Sequence, residues 1–204
     1  MEKIRINLIN PKHLNTVVSL LSRLHAHSLE SYTHSLDVAD KAVTIGIDLG
    51  LSQHDLSTLY TASLLHDIGK LTIDRDLLHK PNATEFEKNL IREQHIQGTI
   101  DILGRYFENE IVSLAGHHHE RLNCSGYPEN LNGRKLGLLD RILQVSDVAS
   151  ALLMNRSYQN AFKPEQVVEI LNNLVRRGEL EKLCVQELEK LYLLPQEDTK
   201  GLSS

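Results

Sequence analysis

Apolar residues along this chain recur three and four positions apart rather than alternating, the pattern of helices with one buried face. In PKHLNTVVSLLSRLHAHS, Leu14, Val17, Val18, Leu21 and Leu24 form such a stripe, with Pro11 near its start. A second helix is predicted over LESYTHSLDVADKAVTIGIDLG, with Leu29, Leu36, Val43 and Ile47 among its apolar positions and Gly50 near its end. SQHDLSTLYTASLLHDIG predicts a third, capped by Ser52 with Asp55 three residues on, and stopped by Gly69. Thr84 and Glu87 make a capping box that fixes the start of TEFEKNLIREQHIQGTIDILG. ENEIVSLAGHHHE reads as a shorter helix, followed by the loop RLNCSGYPENLNGRKLG. LLDRILQVSDVASALLMN, PEQVVEILNNLVRRG with Pro164 in its first turn, and ELEKLCVQELEKLYLL complete an all-α chain. The leucines of that last helix suit packing on the core, with a dimer seam as the alternative. No internal repeat and no long Gly/Ser linker marks a second domain.

Composition narrows the picture. A length of 204 residues, 41% hydrophobic and 24% charged, suits one globular domain with a sizeable core. A net charge of −5 argues against binding nucleic-acid polymers through general electrostatics. A small anionic ligand stays open, because bound divalent cations reverse the sign locally. No apolar run approaches the ~20 residues that span a bilayer, and MEKIRINLIN lacks the apolar stretch of a signal peptide. Cys124 and Cys184 are isolated thiols outside any CxxC pattern, so the expected compartment is a reducing cytoplasm. The count that stands out is 11 histidines.

Their positions decide what they mean. SLLHDIGKLTI sets His66 and Asp67 at the end of an apolar helix, with Lys70 just beyond. Glu30 and His34 stand four apart on one helix face. GHHHE supplies His117, His118 and His119, and two further polar residues, His95 and Asp147, lie within apolar-rich helices. Each has a bland alternative as a surface pair or a hydrogen-bonded core residue. Read together, imidazoles and carboxylates suit divalent metals, and a carboxylate can bridge two ions. Paired ions activate water and stabilise the oxygens of a phosphate ester, and Lys70 would add charge there. His13, His25, His27, His54 and His79 have no such company and read as surface or packing residues.

At this point the residues carry a family likeness. LLHDIGK, HIQG, HHERLNCSGYP and RILQVSDV, in that order, resemble the HD-GYP branch of the HD-domain metal-dependent phosphohydrolases, from about Glu30 to about Asn160. The resemblance implies an all-α HD-domain bundle with a GYP loop, spanning residues 28–194. Residues 1–27 would pack on it as an N-terminal helical segment, and 195–204 would form a flexible tail. It implies a phosphodiesterase cutting cyclic di-GMP to pGpG, GMP or both, using two or three divalent ions, Fe or Mn foremost. The resemblance casts Glu30, His34, His66, Asp67, His95, His118, His119 and Asp147 as metal ligands. In this casting Asp67 bridges two ions and Glu30 accompanies a third. Asp67 and Lys70 would be catalytic, and Lys70, Tyr127 and Arg156 would meet the substrate.

The chain also departs from the family pattern. Asn123 and Cys124 stand where HHERxDGSGYP has Asp and Gly, Ser150 replaces an aspartate, Gln159 replaces a cation, and Asp74 replaces a proline. None of these removes a ligand, and all touch what surrounds the ligands or the substrate. They motivate two rival readings: the same centre acting on another nucleotide, or a slow nucleotide-binding signalling module. With only a short segment before Glu30, a trans-acting regulatory protein or a homodimer would supply control.

Overall fold

The computed structural model describes residues 4–154 and 161–193. Arg156, Gln159 and the tail expected from residue 195 lie outside the described residues. Nine α-helices occupy those that are described: α1 Leu14–His27, α2 Leu29–Asp48, α3 Gln53–Leu65, α4 Arg75–Leu78, α5 Glu85–Leu103, α6 Asn109–Gly116, α7 Leu138–Leu153, α8 Pro164–Arg176 and α9 Lys182–Leu193. Turns of 3-10 helix cover Ile6–Leu8 and Ile68–Thr72. No strand is present among the described residues beyond one isolated bridge, Asn123 to Asn132.

Local chemistry sets the helix ends. Ser28 accepts from the backbone N–H of Ser31 at the start of α2, and Ser52 does the same for Asp55 at the start of α3. The capping box of α5 is complete: Thr84 Oγ1 accepts from Glu87 N at 3.2 Å, and Glu87 Oε2 accepts from Thr84 N at 2.9 Å. Each such cap is worth about 1 kcal/mol. Gly50 closes α2 at φ +73°, with Leu51 N donating back to Gly46 O at 2.9 Å, the Schellman arrangement.

Helix α2 is the spine. Val38, Ala39, Ala42, Val43 and Ile45 are fully buried, and the two alanines let α3 approach on one side and α7 on the other. Helix α6 lies against α3 and α5, while α8 and α9 cover α7. Leu180, Cys184, Val185 and Leu188 of the C-terminal segment are spent on this core. Val18, Leu29 and Ile47 point outward at 50%, 60% and 51% exposure despite their place in the apolar pattern. Leu29 and Ile47 sit in the end turns of α2, and Val18 lies ~100° around the helix from buried Val17.

Two details differ from the sequence expectation. Helix α3 ends at Leu65 with His66 as its C-cap, so Gly69 is not the helix stop. Gly69 instead lets two backbones touch. A Cβ there would fall 1.9 Å from the carbonyl oxygen of His95 and 2.3 Å from Thr99 N. Thr99 Oγ1 accepts from Gly69 N at 2.9 Å and donates to His66 O at 2.9 Å, which stitches α5 to the turn after α3. The short helix α4, capped by Asp74, also goes beyond the expected elements, because four residues are too few for a periodic signal.

Candidate metal centre

That stitch brings His95 beside His66 and Asp67. Helix α2 contributes His34, α7 contributes Asp147, and the turn after α6 contributes His118 and His119. Two groups result. His34, His66 and Asp67 hold ligand atoms within 4.8 Å of one another, and so do His95, His118 and His119.

The two carboxylates straddle these groups. Asp67 turns Oδ2 toward His66 Nε2 at 3.5 Å and His34 Nε2 at 4.0 Å, and Oδ1 toward His95 Nε2 at 4.0 Å. Asp147 turns Oδ1 toward His34 Nε2 at 2.9 Å and His66 Nε2 at 3.7 Å, and Oδ2 toward His119 Nδ1 at 3.7 Å.

Backbone carbonyls aim the rings. His66 Nδ1 lies 2.8 Å from Ser63 O, His95 Nδ1 2.9 Å from Ile91 O, and His118 Nδ1 2.7 Å from Ala115 O. A carbonyl only accepts, so each ring carries its proton on Nδ1 and presents a bare Nε2. All three Nε2 atoms are buried and lack a hydrogen-bond partner. Orphaned buried acceptors converging on two carboxylates are the mark of a site that can hold cations. His34 is oriented differently, its Nδ1 lying 2.9 Å from Ser150 Oγ.

Protonation follows from burial and company. Burial pushes the pKa of His66 and His95 down, and drives that of His118 well down with help from His119 and His66. His119 is pushed down to about 3 by burial, against the pull of Asp147. Burial alone would raise Asp67, but the Lys70 ammonium and the rings of His66, His34 and His95 hold it well below the usual carboxylate range. Asp147 is held low in the same way, against burial, by the hydrogen bond from His34 and by the nearby His119 and His66. Neutral imidazoles and ionised carboxylates are the forms that ligate metals.

Around this core, Lys70 Nζ sits 2.6 Å from Asp67 Oδ2. Tyr127 lays its ring on His119, centroids 4.7 Å apart and tilted by 35°, and its N–H donates to His119 O at 3.2 Å. Gly126 permits that loop path, since a Cβ there would lie 2.4 Å from Arg121 N and Glu120 Cα. Glu30 stands exposed in the first turn of α2 and joins neither group. His117 turns aside to Asp140, Nδ1 to Oδ1 at 3.1 Å.

Sequence reasoning passed over Glu120. It is fully buried, and its Oε1 and Oε2 accept from Glu129 N at 2.7 Å and Leu131 N at 2.8 Å, tying down the loop that carries Tyr127. The signal available was its place directly after three histidines. Asn123, one of the departures, serves the loop itself: its Oδ1 accepts from Ser125 N and Ser125 Oγ, and its Nδ2 donates to Arg177 O.

Fold and site together define an all-α protein with a buried histidine–carboxylate centre able to hold metal ions. The chain belongs to the HD-domain family, whose match covers residues 12–179, and it carries the motif order of the HD-GYP branch. It is 34% identical over 157 residues to the 3′3′-cGAMP-specific phosphodiesterase 1 of Vibrio cholerae, covering 76% of this chain and 36% of the relative. It is 35% identical over 146 residues to the cyclic di-GMP phosphodiesterase response regulator RpfG of Xanthomonas campestris, covering 69% of this chain and 38% of the relative. The chain thus spans little more than a third of the length of these curated relatives. The HD domain of L. monocytogenes phosphodiesterase PgpH, solved in complex with cyclic-di-AMP, shares the fold with a TM-score of 0.63 at 15% identity, covering 84% of this chain and 92% of the other. Among the described residues, no helix is long and apolar enough to cross a membrane.

Proposed function

We propose that this chain is a metal-dependent phosphodiesterase that linearises a cyclic dinucleotide, cyclic di-GMP or 3′3′-cGAMP. The observation that carries this reading is the arrangement of Asp67 and Asp147, each offering one oxygen to each of two histidine groups. The donor set fits two divalent cations, with Fe or Mn suited to mixed imidazole and carboxylate ligation. His34, His66, Asp67 and Asp147 would hold one, and His95, His118, His119 and the outer oxygens of the two aspartates the other. Such ions supply Lewis-acid stabilisation of phosphoryl oxygens and lower the pKa of water.

The protein's own groups do the rest. Water adds to phosphorus, the bond from phosphorus to one ribose oxygen breaks, and that oxygen leaves with a proton. Lys70, fixed against Asp67, provides a positive charge for the charge that builds on the phosphate. Tyr127 covers His119 and offers an aromatic face on which a purine can stack. Arg156 is assigned to substrate phosphate on the strength of the sequence resemblance. A third ion beside Glu30 is assigned on the strength of the sequence resemblance alone.

The relatives support a cyclic dinucleotide as substrate, because they are named for 3′3′-cGAMP and for cyclic di-GMP. Purified protein loaded with Mn(II) or Fe(II) should convert cyclic di-GMP or 3′3′-cGAMP to the linear dinucleotide, followed by chromatography. Turnover of both no faster than an Asp67→Ala control would falsify the reading.

A further inference from the structure

A cyclic dinucleotide carries two phosphodiesters on one ring, and a centre that cuts one of them leaves the other as an anion to be matched elsewhere. This inference therefore rests on the phosphodiesterase reading above. The rim of the site supplies a candidate for the second anion. On α5, Arg92 stands one turn before His95, and residues three apart share a helix face. From His95 the aromatic row continues outward: its ring meets His119 at 5.1 Å, and His119 meets Tyr127 at 4.7 Å. Arg92 itself is exposed.

Two arginines stand close in sequence to this row: Arg92 one turn before His95 on α5, and Arg121 two residues after His119. Their commitments differ. Arg121 is half-buried and donates from Nη1 to the carbonyl oxygens of His118 and Glu120 at 3.2 and 2.7 Å, so it braces the loop. Arg92 donates from Nη1 to Asn89 Oδ1 at 3.0 Å, and no carboxylate pairs with it among the described residues. Its remaining guanidinium donors have no hydrogen-bond partner among the described residues. An exposed guanidinium with open donors one turn from a ligand of the centre is matched to a phosphodiester, which accepts two parallel N–H bonds.

The geometry points to Arg92 as the residue that binds the uncleaved phosphodiester of the cyclic dinucleotide, making it a determinant of substrate class as well as affinity. A site with Arg92 prefers substrates with two phosphates over single phosphodiesters.

The test compares two substrates in Arg92→Met: the better of cyclic di-GMP and 3′3′-cGAMP, and bis(p-nitrophenyl) phosphate, which has one phosphodiester. The expected loss in kcat/KM for the dinucleotide, carried by KM, is at least tenfold greater than the loss for the single phosphodiester. Arg105→Met removes an equal charge about 20 Å further along the same helix direction and keeps the wild-type ratio. Equal losses on both substrates, or no loss on either, overturn the assignment of Arg92. Wild-type protein that cleaves bis(p-nitrophenyl) phosphate but no cyclic dinucleotide overturns the functional reading itself, an outcome visible before any variant is made.

Discussion

Lys70 Nζ lies 2.6 Å from Asp67 Oδ2, the same oxygen that faces His66 at 3.5 Å and His34 at 4.0 Å. An ammonium so placed repels a cation on that oxygen and, on the proposed phosphodiesterase reading, would serve the charge of a reacting phosphate. Lys70→Met should therefore bind Mn(II) as tightly as wild type or more so, yet lose about 10²–10³ in kcat, the scale for removing one charge-stabilising donor. Metal titration and steady-state kinetics separate the two effects. Metal occupancy falling in step with activity would count against this division.

Ser150 Oγ is the partner of His34 Nδ1 at 2.9 Å and is fully buried. It fixes the ring so that Nε2 faces Asp147. Ser150→Ala should weaken metal binding by about 10–100-fold, the range for losing a group that orients a ligand. Ser150→Asp should act oppositely, because an anionic partner raises the basicity of the imidazole. Isothermal titration with Mn(II) measures both, and equal affinities across the three proteins would dismiss the role.

Gly69 and Gly50 differ in why they are glycine. At Gly69 any side chain meets backbone at 1.9 Å, whereas Gly50 has open space around it but sits at φ +73°. Gly50→Ala should cost about 1–2 kcal/mol, the left-handed penalty for a residue with a Cβ. Gly69→Ala must push α5 off the turn and should cost more, about 3 kcal/mol, at the upper end for overpacking. It should also displace His95 and reduce metal content. Urea unfolding read beside metal analysis checks the order, and Gly69→Ala as mild as Gly50→Ala would contradict it.

His13 gives a pH dependence away from the metal site. Its ring is buried against Phe107, centroids 4.8 Å apart, with Nε2 3.1 Å from Glu108 Oε2. Burial lowers its pKa below the ordinary 6.5, outweighing Glu108, which raises it, with Lys12 lowering it further. The unfolded chain thus takes up a proton that the folded chain resists. Its contribution is present above the unfolded pKa of 6.5 and is lost as pH falls from there through the lower pKa of the folded state. Urea midpoints of wild type should fall more between pH 7.5 and 5.5 than those of His13→Gln. Parallel slopes would show that His13 is not the group responsible.

The helices were legible because their signals are local: Ser52 and Thr84 announce the starts of α3 and α5, and the spacing of Leu36 and Val43 marks the buried face of α2, although Leu29 and Ile47 of the same series point outward. The pairing of His66 with Asp67 was legible too, since two polar residues at the end of an apolar helix need a reason to be there. What the spacing could not carry was contact between distant backbones. Gly69 reads as a helix stop until α5 is laid across it, and then its lack of a side chain has a different cause. The role of Glu120 was missed for a related reason, because both its partners are main-chain amides nine and eleven residues away. Glu30, placed with the ligands by resemblance, stands exposed outside both groups.

The carbonyl oxygens of Ser63, Ile91 and Ala115 orient three of the imidazoles, and no substitution deletes a carbonyl. The cage is thereby insulated from change in the side chains near it. Variation at Asn123, Cys124 or Tyr127 can reshape the loop over the cage, leaving the ion-facing nitrogens where the ends of α3 and α6 and the middle of α5 put them.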